Sequence, residues 1–306
     1  MKTPQTQVAI RVLAGLLLAL MAATVQSHSN GDGDKSFRVT PVLEGLTMLQ
    51  GEGGNIGVLQ GEDGLLVIDN DYARMEAALD KALAAIDEGA PRFVLNTHWH
   101  LDHTGNNAAL GESGSLIIAH DNVRPRIEQG GRIRALGYEI PPAAPAALPV
   151  ITYSETLSLH WNGFRLRLWH PQPAHTDGDT VVFFYKGDKL VAVHTGDLFF
   201  NGFYPFIDGS SGGSATGMIS GVAAVLEQLQ PDTLIIPGHG PLGRPGDLRS
   251  FHQFLTAAVG KIAQLKDKGM TLEQVIAAKP LAPYEKEWGD GFLSSEKWIG
   301  IVYDTL

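Results

Sequence analysis

Residues 96–105 read Asn-Thr-His-Trp-His-Leu-Asp-His-Thr-Gly, which sets His98, His100 and His103 beside Asp102. The chain has 11 histidines in 306 residues, so three within six positions is a marked concentration. Imidazole nitrogen and carboxylate oxygen are donors that borderline divalent cations accept at about 2.0–2.2 Å, and at this spacing they can converge on one cation or two. The chemistry on offer is metal-assisted, with a cation polarising a carbonyl or acidifying a water. The competing reading is a solvated polar loop.

A ligand loop of this kind needs rigid elements behind it. Arg92–Asn96 is a short apolar strand that delivers the loop at its end. Ahead of it, Gly57–Gln60 and Leu65–Asp69 flank a Gly-Glu-Asp-Gly turn, the pattern of a hairpin feeding a buried strand. Met75, Leu79, Leu83 and Ile86 share one helical face, Leu116–Ile118 is a further strand and Asn122–Gln129 a short helix. A second half opens with Leu157–Trp161 and Phe164–Leu168 around Asn162-Gly163, a strong hairpin signal. Val181–Tyr185 and Leu190–His194 form another hairpin around Gly187-Asp188. Helical spacing returns at Met218, Val222, Val225 and Leu226, followed by a strand at Leu234–Ile236 and a long helix from about Asp247 to Lys268. Thr271 and Gln274 have capping-box spacing, and Trp298 and Val302 mark a C-terminal helix.

Each half thus runs from strands to helix to strand to helix, with the proline-rich stretch 141–149 expected to join them. Two such halves predict an α/β fold, a four-layer αββα sandwich with its sheets face to face. A doubly wound parallel sheet competes, but the hairpins of the second half argue for antiparallel neighbours.

The H-x-H-x-D-H pattern at 98–103 resembles that of the metallo-β-lactamase superfamily, and the resemblance runs from about Val42 to Gly240. Supporting motifs follow in order: Asp69 ending an apolar strand, His175 in Pro-Ala-His-Thr-Asp-Gly-Asp, Asp197 in His-Thr-Gly-Asp, and His239 in Pro-Gly-His-Gly. The resemblance implies that His98, His100 and His175 bind one metal, that Asp102, His103 and His239 bind another, and that Asp197 bridges them. It implies two divalent ions, zinc foremost with manganese or iron as alternatives, and a bridging hydroxide attacking an acyl carbon. Asp102 is the candidate catalytic residue, passing a proton to the leaving group. Asp69 is expected to hydrogen-bond the metal loop from behind, and Asp177 and Asp179 to shape the turn presenting His175. His194 is read as packing, and His120, His160, His170 and His252 as structural or surface residues. Leu198–Phe206 is aromatic enough for either core or an apolar pocket, as is Trp99. Arg124, Arg126, Arg132 and Arg134 lie where they could overhang the site and grip a substrate carboxylate, although solvated faces are the commoner fate of such residues.

Composition bounds the rest. Residues 1–27 carry only Lys2 and Arg11 as charges and an apolar run over 12–25, which reads as a secretory signal peptide ahead of a single domain over 28–306. The run is short for a retained anchor, so an exported, periplasmic or secreted chain without stable membrane insertion is expected. There is no cysteine, which excludes disulfides and a lipidated cysteine. A net charge of −10, two units more negative without the leader, disfavours nucleic acid and favours a small-molecule substrate. Hydrolysis of an ester, lactone or amide is the first expectation. Zinc β-lactamases of the family carry cysteine or serine at the bridging position, where Asp197 stands, and the cysteine group has lysine where Phe200 stands. An exported β-lactamase is therefore the main alternative, with an iron-dependent sulfur dioxygenase further behind. A glutathione thioesterase would bring a basic C-terminal region that this chain lacks.

Overall fold

The computed structural model describes residues 35–306, and the leader expected over 1–27 lies outside the described residues. Four strands come first, β1 (Arg38–Leu43), β2 (Leu46–Gln50), β3 (Ile56–Leu59) and β4 (Leu66–Ile68), each antiparallel to the last. Only β3 and β4 are expected from sequence. Pro41 interrupts β1, and the sheet tolerates it because β1 is an edge strand with a register shift there. Next come α1 (Glu76–Ala84), β5 (Phe93–Leu95), α2 (Leu101–Thr104), α3 (Asn107–Glu112), β6 (Leu116–His120) and α4 (Val123–Gln129). A short hairpin, β7 (Gly131–Ile133) and β8 (Tyr138–Ile140), pairs only with itself. Then β9 (Ile151–Tyr153) closes a seven-stranded sheet ordered β1-β2-β3-β4-β5-β6-β9, parallel from β4 onward.

The proline-rich stretch does not join the halves as expected. It precedes β9, so the crossing to the second sheet falls at Ser154 and Glu155. Its turn at Pro145–Ala147 packs on α3, where Asn107 donates to the Ala147 carbonyl at 3.0 Å.

The second sheet has the order β10-β11-β12-β13-β14, from β10 (Thr156–Trp161), β11 (Phe164–Trp169), β12 (Val181–Lys186), β13 (Lys189–His194) and β14 (Leu234–Ile236). The first four are antiparallel, and β14 adds in parallel after α5 (Ala215–Leu226). Asn162 and Gly163 turn the first hairpin with φ of 51° and 75°, the left-handed pair that Asn-Gly adopts at low cost. After β14 come α6 (Pro245–Asp267), α7 (Leu272–Ala277), α8 (Glu285–Trp288) and α9 (Ser295–Thr305). α6 starts two residues before the expected Asp247 because proline suits a first turn, while Asp247 accepts the Arg244 amide at 2.8 Å.

Three buried clusters define the layers. Leu59, Leu66, Ile68 and Leu95 of the first sheet meet Leu166, Leu168, Val182 and Phe184 of the second. Alternate residues of the same strands face outward, Val67 and Val94 against Leu79 and Leu83 of α1, and Val181 and Phe183 toward Met218 and Val222 of α5. Strands covered on both faces read as continuous apolar runs, which is why Val181–Phe184 shows no polar alternation. The result is the αββα sandwich. Among the described residues no helix is long and apolar enough to cross a membrane.

Candidate metal centre

β4, β5, β13 and β14 all end at one edge of the sandwich, and the loops leaving those ends carry Asp69, residues 96–105, Asp197 and His239. The loop after β11 brings His175 to the same place. All seven residues anticipated as ligands meet there, in two groups. His98, His100, His175 and Asp197 offer ligand atoms within 4.8 Å of one another, as do Asp102, His103 and His239. Asp197 lies between the groups. Its Oδ2 is 3.8 Å from His98 Nε2 and 3.4 Å from His175 Nε2, and its Oδ1 is 3.1 Å from His103 Nε2 and 3.4 Å from His239 Nε2.

Outer partners set which nitrogen of each ring faces inward. His103 Nδ1 donates to Asp69 Oδ2 at 2.7 Å, His175 Nδ1 to the Phe206 carbonyl at 2.7 Å, and His100 Nε2 to Asp208 Oδ2 at 3.0 Å. His98 Nδ1 lies 3.0 Å from Thr97 Oγ1, which itself donates to Asp69 Oδ2, so the ring nitrogen is the donor. These bonds fix which nitrogen of His98, His100, His103 and His175 points inward. The inward atoms then oppose each other: His98 Nε2 and His175 Nε2 stand 3.1 and 3.0 Å from His100 Nδ1, and His103 Nε2 stands 3.3 Å from His239 Nε2. Around His100 the facing lone pairs repel, between His103 and His239 two rings drawn toward positive charge face each other, and buried Asp197 Oδ1 has no hydrogen-bond partner. A divalent cation in each group resolves these conflicts, so the donor set fits a metal pair.

Electrostatics agree. Burial, with His103 nearby, holds His98 well below the usual 6.5, and burial takes His175 down to about 4, so both rings favour the neutral form that binds a metal. Burial also opposes the charged forms of the second group, yet Asp197 and Asp102 raise His103 well above its ordinary value and raise His239 to about 9. That side of the site demands positive charge.

Two glycines let the loops close on these rings. A Cβ on Gly54 would stand 2.1 Å from His103 Cε1, and one on Gly238 would stand 2.0 Å from Asp197 Oδ1. The Gly54 amide donates to the Asp102 carbonyl at 3.0 Å and the Asn55 amide to the Gly238 carbonyl at 2.7 Å, which ties the β2–β3 loop to both ligand loops.

The remaining expectations divide. Asp69 accepts from the Thr97 amide, the Thr97 hydroxyl and His103, each at 2.7 Å, as a support behind the loop. Asp179 accepts the His175 amide at 2.8 Å and the Thr176 amide at 3.0 Å, while Asp177 pairs with Arg126. His194 is buried, its Nε2 3.2 Å from the Asn55 carbonyl. Trp99 is core, donating to Ser211 Oγ at 3.1 Å. Of the aromatic segment, Leu198 and Phe199 are core, whereas Phe200 stacks on His239 at 5.0 Å and lines the open cleft with Phe206. The four arginines do not reach the cleft: Arg126 meets Asp177, Arg124 the Pro149 carbonyl, Arg132 meets Glu139, and Arg134 lines a separate depression. Sequence reasoning missed Asp208, whose lone carboxylate in Phe-Ile-Asp-Gly reads as a turn cap and also serves as one for Ser210. It missed Glu52, Tyr72 and Arg74 on the cleft wall too.

A sequence profile of the Metallo-beta-lactamase superfamily matches residues 49–239, a span that contains every one of the seven side chains. The hydroxyacylglutathione hydrolase of Polaromonas sp. is 30% identical over 149 residues, covering 48% of this chain and 47% of that protein. The hydroxyacylglutathione hydrolase GloC of Haemophilus influenzae is 30% identical over 173 residues, covering 54% of this chain and 76% of its own. The chain thus spans about half the length of the Polaromonas relative. Among solved structures, BJP-1, a subclass B3 metallo-beta-lactamase of Bradyrhizobium japonicum, superposes with a TM-score of 0.58 at 18% identity, over 80% of this chain and 97% of that one. Profile, layered fold and the ordered ligand loops lead to one assignment: the chain belongs to the metallo-β-lactamase superfamily.

Proposed function

We propose that the chain is a metal-dependent hydrolase that cleaves a carboxylic ester, lactone or amide of a small molecule. The observation that carries this reading is the single carboxylate of Asp197 turned toward both ligand groups, the arrangement a metal pair needs. Bound there, two divalent ions, zinc first and manganese or iron as alternatives, supply Lewis acidity and lower the pKa of water toward neutrality. His98, His100 and His175 would hold one ion and Asp102, His103 and His239 the other, with the Asp197 carboxylate turned toward both. Hydrogen bonds to Thr97, Asp208, Asp69 and the Phe206 carbonyl fix which nitrogen of His98, His100, His103 and His175 faces inward, and a bound metal would displace the protons that Asp197 and Asp102 favour on His103 and His239. Asp102 lines the cleft with 19% of its side chain exposed, and its Oδ2 faces His103 and His239 at 3.3 and 3.2 Å. Its other oxygen, Oδ1, takes the proton released from water and returns it to the leaving group. Phe200, stacked on His239, and Phe206 shield the floor of the cleft from solvent.

The likeness to hydroxyacylglutathione hydrolases favours a thioester as the second reading, since it presents the same carbonyl carbon with a sulfur leaving group. A β-lactam is the amide case that export would suit. The leader-like residues 1–27 support a place for this reaction outside the cytoplasm. The test is a panel of aryl esters, acyl-homoserine lactones, acyl thioesters, nitrocefin and a carbapenem, run with metal analysis of the purified chain. Turnover should vanish on chelation and return with added zinc. Hydrolysis that persists in metal-stripped protein would sink the reading, and turnover of β-lactams alone would reverse the order of substrates.

A further inference from the structure

The open cleft above the ligand groups has a volume of about 480 Å³, within the range that holds a small-molecule ligand. One wall is the β7–β8 hairpin, which pairs with no other strand. Ile133 and Ile140 anchor the hairpin in the core at 4% and 5% exposure, while Leu136 and Tyr138 stand 36% and 47% exposed. Phe292, from the loop before α9, lines the same cleft at 59% exposure. Among the described residues six large hydrophobic side chains are exposed, and three of them, Leu136, Tyr138 and Phe292, rim this one cleft. Exposed apolar groups gathered at the mouth of a pocket mark a surface that ligand burial completes.

Charge in the cleft points the same way. Arg74 is the one Lys or Arg side chain among the lining residues, and it does not stand free. Its Nε is 2.5 Å from Glu52 Oε2, its guanidinium lies 3.9 Å over the Tyr72 ring, and Lys35 approaches the same Glu52 at 3.9 Å from outside the cleft. With Glu52 also on the wall, an anionic group of the substrate lying away from the ligand groups finds no unpaired Lys or Arg side chain to receive it.

We propose that the substrate class is neutral and lipophilic: an acyl compound whose apolar chain or aryl body lies along Leu136, Tyr138 and Phe292 with its carbonyl at the ligand groups. This inference rests on the hydrolase reading for the carbonyl, and on the cleft alone for the apolar body.

Two measurements test it. On metal-loaded enzyme, kcat/KM for p-nitrophenyl esters from acetyl to octanoyl should rise about twofold per methylene, half the gain of complete burial. On metal-free protein, calorimetric Kd values for N-alkylacetamides from butyl to octyl should fall by a similar factor per methylene. The double variant Leu136→Ser with Phe292→Ser should flatten both slopes, while Leu116→Ser with Val150→Ser, exposed residues outside the cleft, should leave them unchanged. Acetyl ester turnover with a flat slope, or preference for a dicarboxylate half-ester, overturns the inference and spares the hydrolase reading. Absence of metal-dependent turnover at every length defeats the hydrolase reading, and the binding series then decides the apolar body alone, a flat series overturning it.

Discussion

Replacing Asp208 with alanine should weaken metal binding in one ligand group and spare the other. Asp208 is 1% exposed and accepts from His100 Nε2 at 3.0 Å, from the Ser210 amide at 3.0 Å and from Ser211 Oγ at 2.5 Å. Burial would raise its pKa, but the bond from His100 and the nearby hydroxyls outweigh that and hold the carboxyl below its ordinary range. It is therefore an ionised acceptor, and a hydrogen bond to such a group contributes about 1.5–3 kcal/mol. At about 1.4 kcal/mol per tenfold, its loss should weaken the His98–His100–His175 site by about 10- to 150-fold, in line with other partners that orient ligand histidines. The second group is held through Asp69 and His103, which do not touch Asp208, so its affinity should change less than about twofold. Competition titrations with a chromophoric chelator resolve the two affinities. Ser211→Ala is the control, because it removes an acceptor from Trp99 and a donor from Asp208 but leaves the bond to His100. Equal loss at both groups, or none at either, would refute the claim that Asp208 acts by orienting His100.

Three further outcomes follow from the same geometry. Gly54→Ala should push His103 out of place and halve the metal bound per chain, because the new Cβ would stand 2.1 Å from the ring; full stoichiometry would show that the β2–β3 loop yields easily. Asp102→Asn with both metals retained should lower kcat on esters by about 100-fold or more, and full turnover would remove the proton role. His120 and His170 stack at 3.6 Å, and burial lowers both pKa values below 6.5, helped for His120 by its neighbour. Depressed folded values mean that stability is present above 6.5 and lost as pH falls through them, so metal-free His120→Phe should lose less urea resistance than wild type between about pH 7.5 and about pH 5. Equal losses would place the acid sensitivity elsewhere.

Much of this was legible beforehand for identifiable reasons. Alternation in β10 and β11, and the Asn162-Gly163 turn between them, are local signals that tertiary context does not override. The ligands come at fixed short spacing or in distinct tripeptides after apolar strands. β1 and β2 stayed hidden because Pro41 breaks the first run and Thr47 and Gln50 blur the second. The β7–β8 hairpin has three-residue strands and arginines along it, so the segment did overhang the cleft, but through Leu136 and Tyr138 and not through its guanidinium groups. Asp208 lies 108 residues from the ring it orients, a separation at which no local pattern exists.

The centre draws His98, His100, Asp102 and His103 from a loop of the first sheet, and His175, Asp197 and His239 from loops of the second. Cations seated there fasten one leaf of the molecule to the other. In a chain with no cysteine, cations bound there would act as a removable rivet that a chelator could draw out again. Parting of the leaves along this edge should then follow metal supply, with cofactor occupancy and mechanical closure rising and falling together.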